Sequence, residues 1–124
     1  MPTILIVEDN PTNMKLSTFV LESADYTVIT ATDAEIGLTL ARESHPDLIL
    51  MDIQLPGMDG ITAMKQLKAA PHTAKIPVIA ITASAMTNNR TAMLAEGFDG
   101  YQTKPITLKD FLAEVERVLQ MRSK

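Results

Sequence analysis

The stretch "DLILMDIQLPGMDG", residues 47–60, decides how this sequence folds. It opens with a short apolar run, residues 47–51, rich in branched side chains, which is typical of a strand covered on both faces. The eight residues that follow Asp52 hold one proline, two glycines and an acid, which favour a loop. Asp52 lies where the strand meets this loop. Because a lone buried carboxylate is unfavourable unless something pairs with it, the rest of the chain must supply its partners.

Composition narrows the class of protein. The chain has 124 residues, of which 46% are hydrophobic, so we expect one domain with a proper core. Cysteine is absent, which excludes disulfides and thiolate chemistry. The net charge is −4 and no basic run is long enough to track phosphates, so we expect no nucleic-acid binding. The apolar stretch "ILIV" near the start is too short for a signal peptide or a membrane span, so we expect a cytoplasmic protein without membrane contact.

Apolar runs alternate with helical patterns along the chain. The other predicted strands are 3–7, 26–30, 77–82 and a weaker run, 100–103. The predicted helices include one beginning at Asn10–Pro11, one over 33–43 with Thr32 and Glu35 as a capping pair, a weak one over 86–96 that stops at Gly97, and the best one, 107–121. Five strands alternating with five helices predict a parallel sheet with helices on both faces.

Polar residues follow four of the five predicted strands. In such sheets ligands gather at the carboxyl ends of the strands. If the first, third, fourth and fifth strands are neighbours, the sequence brings three carboxylates, one hydroxyl and one ammonium to one cleft: Glu8, Asp9, Asp52, Thr82 and Lys104. Each signal alone is weak, because an acid after a strand is often a turn residue or a helix cap. Their joint placement is much harder to produce by chance.

The residue types indicate phosphoryl chemistry. Crowded carboxylates repel unless a cation intervenes, and oxygen ligands without His or Cys favour Mg²⁺ over zinc. A carboxylate beside Mg²⁺ can attack phosphorus and form an acyl phosphate. Lys104 and Thr82 can stabilise other oxygens of the phosphoryl group by charge and by a hydrogen bond.

With these residues the sequence closely resembles the receiver domains of bacterial two-component response regulators. In its finer details it is similar to the single-domain, cell-cycle type of these regulators. The resemblance rests on four ordered motifs that span the chain: "ED" at 8–9, "LILMDIQLPGMDG" around Asp52, "AIT" ending at Thr82 and "KP" at 104–105. It implies a flavodoxin-like (βα)5 three-layer sandwich with parallel strand order 2-1-3-4-5. The receiver domain would cover residues 2–121, with no effector domain.

The resemblance also implies roles for individual residues. Asp52 would accept a phosphoryl group from a histidine kinase or histidine phosphotransfer protein. Asp9, Asp52 and the backbone carbonyl of Gln54 would hold Mg²⁺, with Glu8 acting through water. The remaining expectations are Thr82 and Lys104 as further catalytic residues, Thr82 and Tyr101 as the switch pair, and a cis peptide bond before Pro105.

In the expected switch, Thr82 moves towards the phosphoryl group and the ring of Tyr101 rotates inward. The surface of the fourth helix, fifth strand and fifth helix then changes, and the output is contact with a downstream protein. We expect a monomer or weak dimer that is not an enzyme, beyond Mg²⁺-assisted self-phosphorylation and autodephosphorylation.

Three functional classes stay open on the residues alone. The first is this phospho-accepting switch. The second is a Mg²⁺-dependent phosphohydrolase of the haloacid-dehalogenase type, which needs Asp-x-Asp where this chain has Asp52-Ile-Gln54 and also lacks a cap domain. The third is an interaction module that needs no phosphate, which would tolerate the loss of the acids and the lysine.

Overall fold

The computed structural model describes residues 2–84 and 86–122, and strands and helices alternate throughout them. The strands are β1 (Thr3–Val7), β2 (Thr27–Ala31), β3 (Leu48–Asp52), β4 (Val78–Thr82) and β5 (Gly100–Thr103). The helices are α1 (Pro11–Ser23), α2 (Ala34–Ser44), α3 (Gly60–Ala69), α4 (Arg90–Glu96) and α5 (Leu108–Arg122).

The five strands form one parallel sheet in the order β2-β1-β3-β4-β5. The predicted fold class and strand order are therefore confirmed. The register aligns Asp52 of β3 with Ile81 of β4, and Thr82 with Thr103 of β5. The carboxyl ends of four strands consequently meet at one edge of the sheet, where the polar residues of the sequence lie.

The sheet separates two apolar clusters. One contains alternate strand residues such as Leu5, Ile49 and Val78 and packs against α2, α3 and α4. The other contains the intervening residues, with Phe111 and Val115 of α5, and packs against α1 and α5. Every residue of β3 and β4 is buried, which explains why their apolar runs are continuous rather than alternating.

Asparagine and aspartate caps set where four of the helices begin. Asn10 caps α1 with its side chain, as predicted, and Pro11 occupies the first turn. The predicted Thr32–Glu35 pair for α2 is wrong by one position, because Asp33 accepts the hydrogen bond from the N–H of Ile36 at 2.8 Å. Aspartate is in general a more effective N-cap than threonine.

The weakest predicted helix is shorter than expected. Helix α4 begins at Arg90 rather than at residue 86, because Asn89 caps it by accepting a hydrogen bond from the N–H of Ala92 at 2.8 Å. It ends at Gly97, as predicted, where φ is +124°. In the described part of the chain, no helix has the length and apolarity needed to span a membrane.

Candidate functional site

Asp52 is the centre of the site at the carboxyl edge of the sheet. It ends β3 and is only 2% exposed. Its Oδ1 accepts a hydrogen bond from the backbone N–H of Gln54 at 2.9 Å, and its Oδ2 lies 2.9 Å from the Nζ atom of Lys104. Both carboxylate oxygens therefore have donors, which makes a buried charge at this position tolerable.

Lys104 joins two of the acids. Its Nζ lies 2.9 Å from Oε1 and 3.2 Å from Oε2 of Glu8, as well as 2.9 Å from Asp52. Burial lowers the pKa of Lys104, but the hydrogen bonds to Asp52 and Glu8 outweigh that effect and raise it, so the side chain stays a cation. The peptide bond from Lys104 to Pro105 is cis, the isomer that the resemblance implies.

Glu8 is a buried acid whose negative charge is stabilised only in part. Burial raises its pKa, and the neighbouring carboxyl group of Asp52 raises it further. Hydrogen bonds from Lys104 and from the N–H of Asn10 lower the pKa only in part, and the net value is about 7. Negative charge is thus in excess at this site, because one ammonium faces several carboxylates.

The donor set fits a hard divalent cation. Glu8, Asp9 and Asp52 can each bring a carboxylate oxygen to within 4.8 Å of the others, and Asp9 is exposed. Carboxylate oxygens without sulfur or imidazole ligands suit Mg²⁺, which keeps several waters and needs few protein ligands. The three acids singled out in the sequence are therefore brought together as expected.

Thr82 lies at the same edge of the sheet as this cluster, and its hydroxyl oxygen accepts a hydrogen bond. The residue is fully buried, and its Oγ1 accepts a hydrogen bond from the backbone N–H of Ser84 at 3.0 Å. Its carbonyl accepts a hydrogen bond from the N–H of Lys104 at 2.8 Å, which ties the ends of β4 and β5 together. Accepting the bond from Ser84 uses only a lone pair of the Thr82 oxygen, so its O–H keeps the capacity to donate to a group on Asp52.

Tyr101 is more deeply placed than an edge-strand position suggests. It is 7% exposed, packs in the same apolar cluster as Met64 and Met93, and its hydroxyl is buried without a hydrogen-bond partner in the described structure. The guanidinium carbon of Arg90 lies 5.5 Å from the centre of its ring, a cation–π arrangement. The ring is therefore already inward, which differs from the resting position expected from the sequence.

A second polar cluster was not anticipated. Glu114 of α5 is buried and accepts hydrogen bonds from the backbone N–H of Tyr101 at 2.8 Å, from Arg90 at 3.2 Å and from Arg117 at 2.9 and 3.0 Å. Its sequence signal is its position three residues after Phe111, which puts an acid on the apolar stripe of α5. An acid on such a stripe indicates a buried carboxylate with partners.

Gly60, which lies against the backbone of Asp52, is a further site residue that the sequence patterns did not single out. A Cβ atom built on Gly60, the first residue of α3, would lie 2.2 Å from the carbonyl oxygen of Asp52. The N–H of Gly60 donates to the carbonyl of Ile53 at 3.0 Å. The glycine of "MDG" thus lets α3 start directly against the backbone that carries Asp52.

Comparison with known proteins places this geometry in a family. The model of the response regulator receiver domain matches residues 4–116. The polar-differentiation response regulator DivK of Brucella ovis is 42% identical over 117 residues, which cover 94% of this chain and 95% of that protein, and DivK of Brucella anthropi is 41% identical over the same shares.

Solved structures of response regulators and receiver domains have the same fold as this chain. A response regulator from Chloroflexus aurantiacus superposes with a TM-score of 0.90 at 30% identity, covering 96% of this chain and 98% of that one. The receiver domain of a sensor histidine kinase from Pseudomonas aeruginosa, described with a magnesium ion coordinated in its active-site cleft, has a TM-score of 0.88 at 32% identity over the same shares. This chain therefore belongs to the receiver domains of two-component response regulators and is similar to DivK.

Proposed function

We propose that Asp52 accepts a phosphoryl group from a histidine kinase or a histidine phosphotransfer protein, and that the chain acts as a signalling switch. The observation that carries this proposal is the salt bridge between Nζ of Lys104 and Oδ2 of Asp52, which are 2.9 Å apart. This salt bridge lies inside a cluster of acids at the carboxyl edge of the sheet. Lys104 holds a positive charge beside the atom that would accept phosphorus, and the acids suit a divalent cation.

The transfer is a substitution at phosphorus. A carboxylate oxygen of Asp52 forms a bond to phosphorus while the bond from phosphorus to the donor's histidine nitrogen breaks, and that nitrogen leaves with the electron pair and takes up a proton. The product is an acyl phosphate. Lys104 exchanges one of its carboxylate contacts for a phosphoryl oxygen and offsets the negative charge.

Asp9, Asp52 and the backbone carbonyl of Gln54 would hold Mg²⁺, with Glu8 acting through water. The proximity of the three carboxylates supports this arrangement. When bound, Mg²⁺ supplies positive charge that offsets the charge on the oxygens of the phosphoryl group. The same site would also carry out self-phosphorylation by small phosphodonors and autodephosphorylation, and we propose no separate enzymatic activity.

The signal leaves through α4, β5 and α5. The phosphoryl group brings oxygens that need a donor, and the buried hydroxyl of Thr82 moves towards it and donates its O–H, which the bond from the Ser84 N–H leaves unused. Because the ring of Tyr101 is already buried, the phosphoryl group holds it inward rather than driving it there. Such a group need only bind one conformation better than the other to shift the population.

The partners follow from this role. The donor is a histidine kinase or phosphotransfer protein, and the recipient is a downstream protein that contacts the α4–β5–α5 face. The unit that acts is residues 2–121, in the cytoplasm, as a monomer or weak dimer.

Intact mass after incubation with acetyl phosphate and Mg²⁺ tests the proposal. We expect an adduct of about 80 Da, the mass of one phosphoryl group, which disappears when EDTA replaces Mg²⁺. Continuous turnover of phosphate esters without an adduct would indicate a phosphohydrolase instead. An unchanged mass with no turnover would indicate an interaction module.

A further inference from the structure

We propose that the cavity between α4, β5 and α5 binds a carboxylate side chain of the downstream partner, held by Arg90. The inference rests on the proposed function, because it names the chemistry of the partner that contacts this face. It concerns a separate group of residues from those around Asp52, so the failure of one proposal can be distinguished from the failure of the other.

The cavity is an open one lined by residues of three elements. Its volume is about 410 Å³, within the range of about 300–1,000 Å³ that ligand pockets occupy. Tyr101, Gln102 and Thr103 of the edge strand β5 line it. Arg90 lies on the α4 side, and Arg117 on the α5 side.

Two cations share one internal anion in this cavity. The carboxylate of Glu114 already accepts four hydrogen bonds: one from the N–H of Tyr101, one from Arg90 and two from Arg117. These bonds outweigh the effect of burial and lower the pKa of Glu114 to about 2, so it remains ionised. Asp110 also lines the cavity and balances the second positive charge, so the attraction for a carboxylate comes from the free N–H donors of Arg90 and not from a net positive charge.

Arg90 is oriented and still has donors to offer. Its side chain is 51% exposed, against 45% for that of Arg117. One of its amino groups donates a hydrogen bond to Glu114 at 3.2 Å, and the other donates a long one, 3.4 Å, to the carbonyl of Tyr101. The guanidinium also lies over the ring of Tyr101. A guanidinium has five N–H donors, and a carboxylate is the acceptor that its planar geometry fits best.

The carboxylate of Asp110 disfavours the binding of a second carboxylate in the cavity, so D110N and R90Q should have opposite effects on that binding. It also lines the cavity, it is exposed, and its Oδ2 accepts a hydrogen bond from the hydroxyl of Thr107 at 3.1 Å. Its charge repels an incoming carboxylate. Removing that charge should strengthen binding, whereas removing the charge of Arg90 should weaken it.

The test is an NMR titration of the full ¹⁵N-labelled chain with the blocked tripeptide Ac-Ala-Glu-Ala-NH₂ at constant ionic strength. We expect saturable shifts at the side-chain Nε–H of Arg90 and Arg117 and at the amides of Tyr101 and Thr103. The neutral control Ac-Ala-Gln-Ala-NH₂ should bind about tenfold more weakly, because it cannot form charge-assisted hydrogen bonds. R90Q should reduce the affinity for the Glu peptide to that of the Gln peptide, and D110N should raise it.

Several results would overturn the inference. They are equal binding of the Glu and Gln peptides, no saturable shift, shifts centred on Lys104 instead of Arg90, or an affinity that R90Q leaves unchanged. Labelling of Asp52, followed by intact mass in the wild-type chain, is a separate readout. Its failure would overturn the proposed function while the titration still decides the chemistry of the cavity.

Discussion

The buried carboxylate of Asp52 is stabilised by partners distant in sequence as well as near. The Gln54 N–H is a local donor two residues away, whereas Lys104 lies 52 residues along the chain. Because the carboxyl ends of parallel strands meet at one edge of the sheet, the sequence was enough to predict that Asp52 and Lys104 lie at the same edge. It could not predict that Lys104 also bonds both oxygens of Glu8, because that depends on side-chain conformations within a crowded, charged cluster.

Glu114 shows where residue-level prediction failed. Helical periodicity identified the apolar residues of α5, and Phe111, Val115 and Val118 are fully or almost fully buried. The acid on the same stripe has its partners on three elements, since it bonds the backbone of β5 and arginines of α4 and α5. Periodicity reports which face is buried, and it says nothing of how a charge on that face is neutralised.

We predict that Glu114 stabilises the fold in a pH-dependent manner. Its pKa is about 2 in the folded chain against an ordinary value of 4.5, so its contribution is present above about pH 4.5 and is lost as the pH falls towards 2. At pH 7, Glu114→Gln should lower the free energy of unfolding by up to about 3 kcal/mol. Urea unfolding at pH 7, 5 and 3 measures this.

The difference between wild type and Glu114→Gln should shrink between pH 5 and pH 3. The exposed Glu116, on the same helix, is the matched control, and Glu116→Gln should change stability little at any of these pH values. A Glu114→Gln effect of equal size at pH 7 and pH 3 would contradict the ion-pair explanation.

At the scale of elements, strands were easier to predict than the starts of helices. Each predicted strand agrees with the observed one to within one residue at either end, because burial on both faces makes continuous apolar runs. The predicted start of α4, residue 86, is four residues too early, since the helix begins at Arg90 with Asn89 as its cap. Several polar residues before Arg90 could serve as a cap, and the path of the loop after β4 decides which one does. Met93 of α4 is buried and packs in the same apolar cluster as Tyr101.

We predict that Gly60→Ala disrupts the site through the backbone. The added Cβ would lie 2.2 Å from the Asp52 carbonyl, so α3 must move away from the strand end. We expect a loss of about 1–3 kcal/mol in stability and slower labelling of Asp52. Chemical denaturation and the rate of acetyl phosphate labelling measure the two effects.

Gly57 is the control for this substitution. Its φ is +74°, but a Cβ there meets nothing within 4 Å. Gly57→Ala should therefore cost about 1 kcal/mol of backbone strain without slowing the labelling of Asp52. Equal effects of both substitutions on labelling would show that the contact at Gly60 has no special role.

We predict that Thr82→Ala separates phosphorylation from the conformational change. The Asp52 carboxylate and Lys104 remain, so the variant should still bind beryllofluoride and accept phosphate. Without the hydroxyl of Thr82, amide shifts of residues 86–103 should fall well below those of the wild type. Thr82→Ser retains the hydroxyl and should restore them, and equal responses in wild type and Thr82→Ala would mean that the signal leaves by another route.

At the scale of the whole molecule, the strand order converts scattered residues into a site. Because β1, β3, β4 and β5 are neighbours, the acids after β1, Asp52, Thr82 and Lys104 all reach one edge. The alternation of elements and the four family motifs were sufficient to predict this arrangement. The inward ring of Tyr101 was not predictable, because it depends on how α4 packs over β4 and β5.

The central claim is that Asp52 is the phospho-acceptor, and intact mass of the wild type and Asp52→Asn after acetyl phosphate and Mg²⁺ tests it most directly. Asp25→Asn is the matched control, since Asp25 is exposed and its φ of +69° is one that Asn also adopts. We predict an adduct of about 80 Da on the wild type and on Asp25→Asn, and none on Asp52→Asn. Labelling that survives in Asp52→Asn would contradict the account.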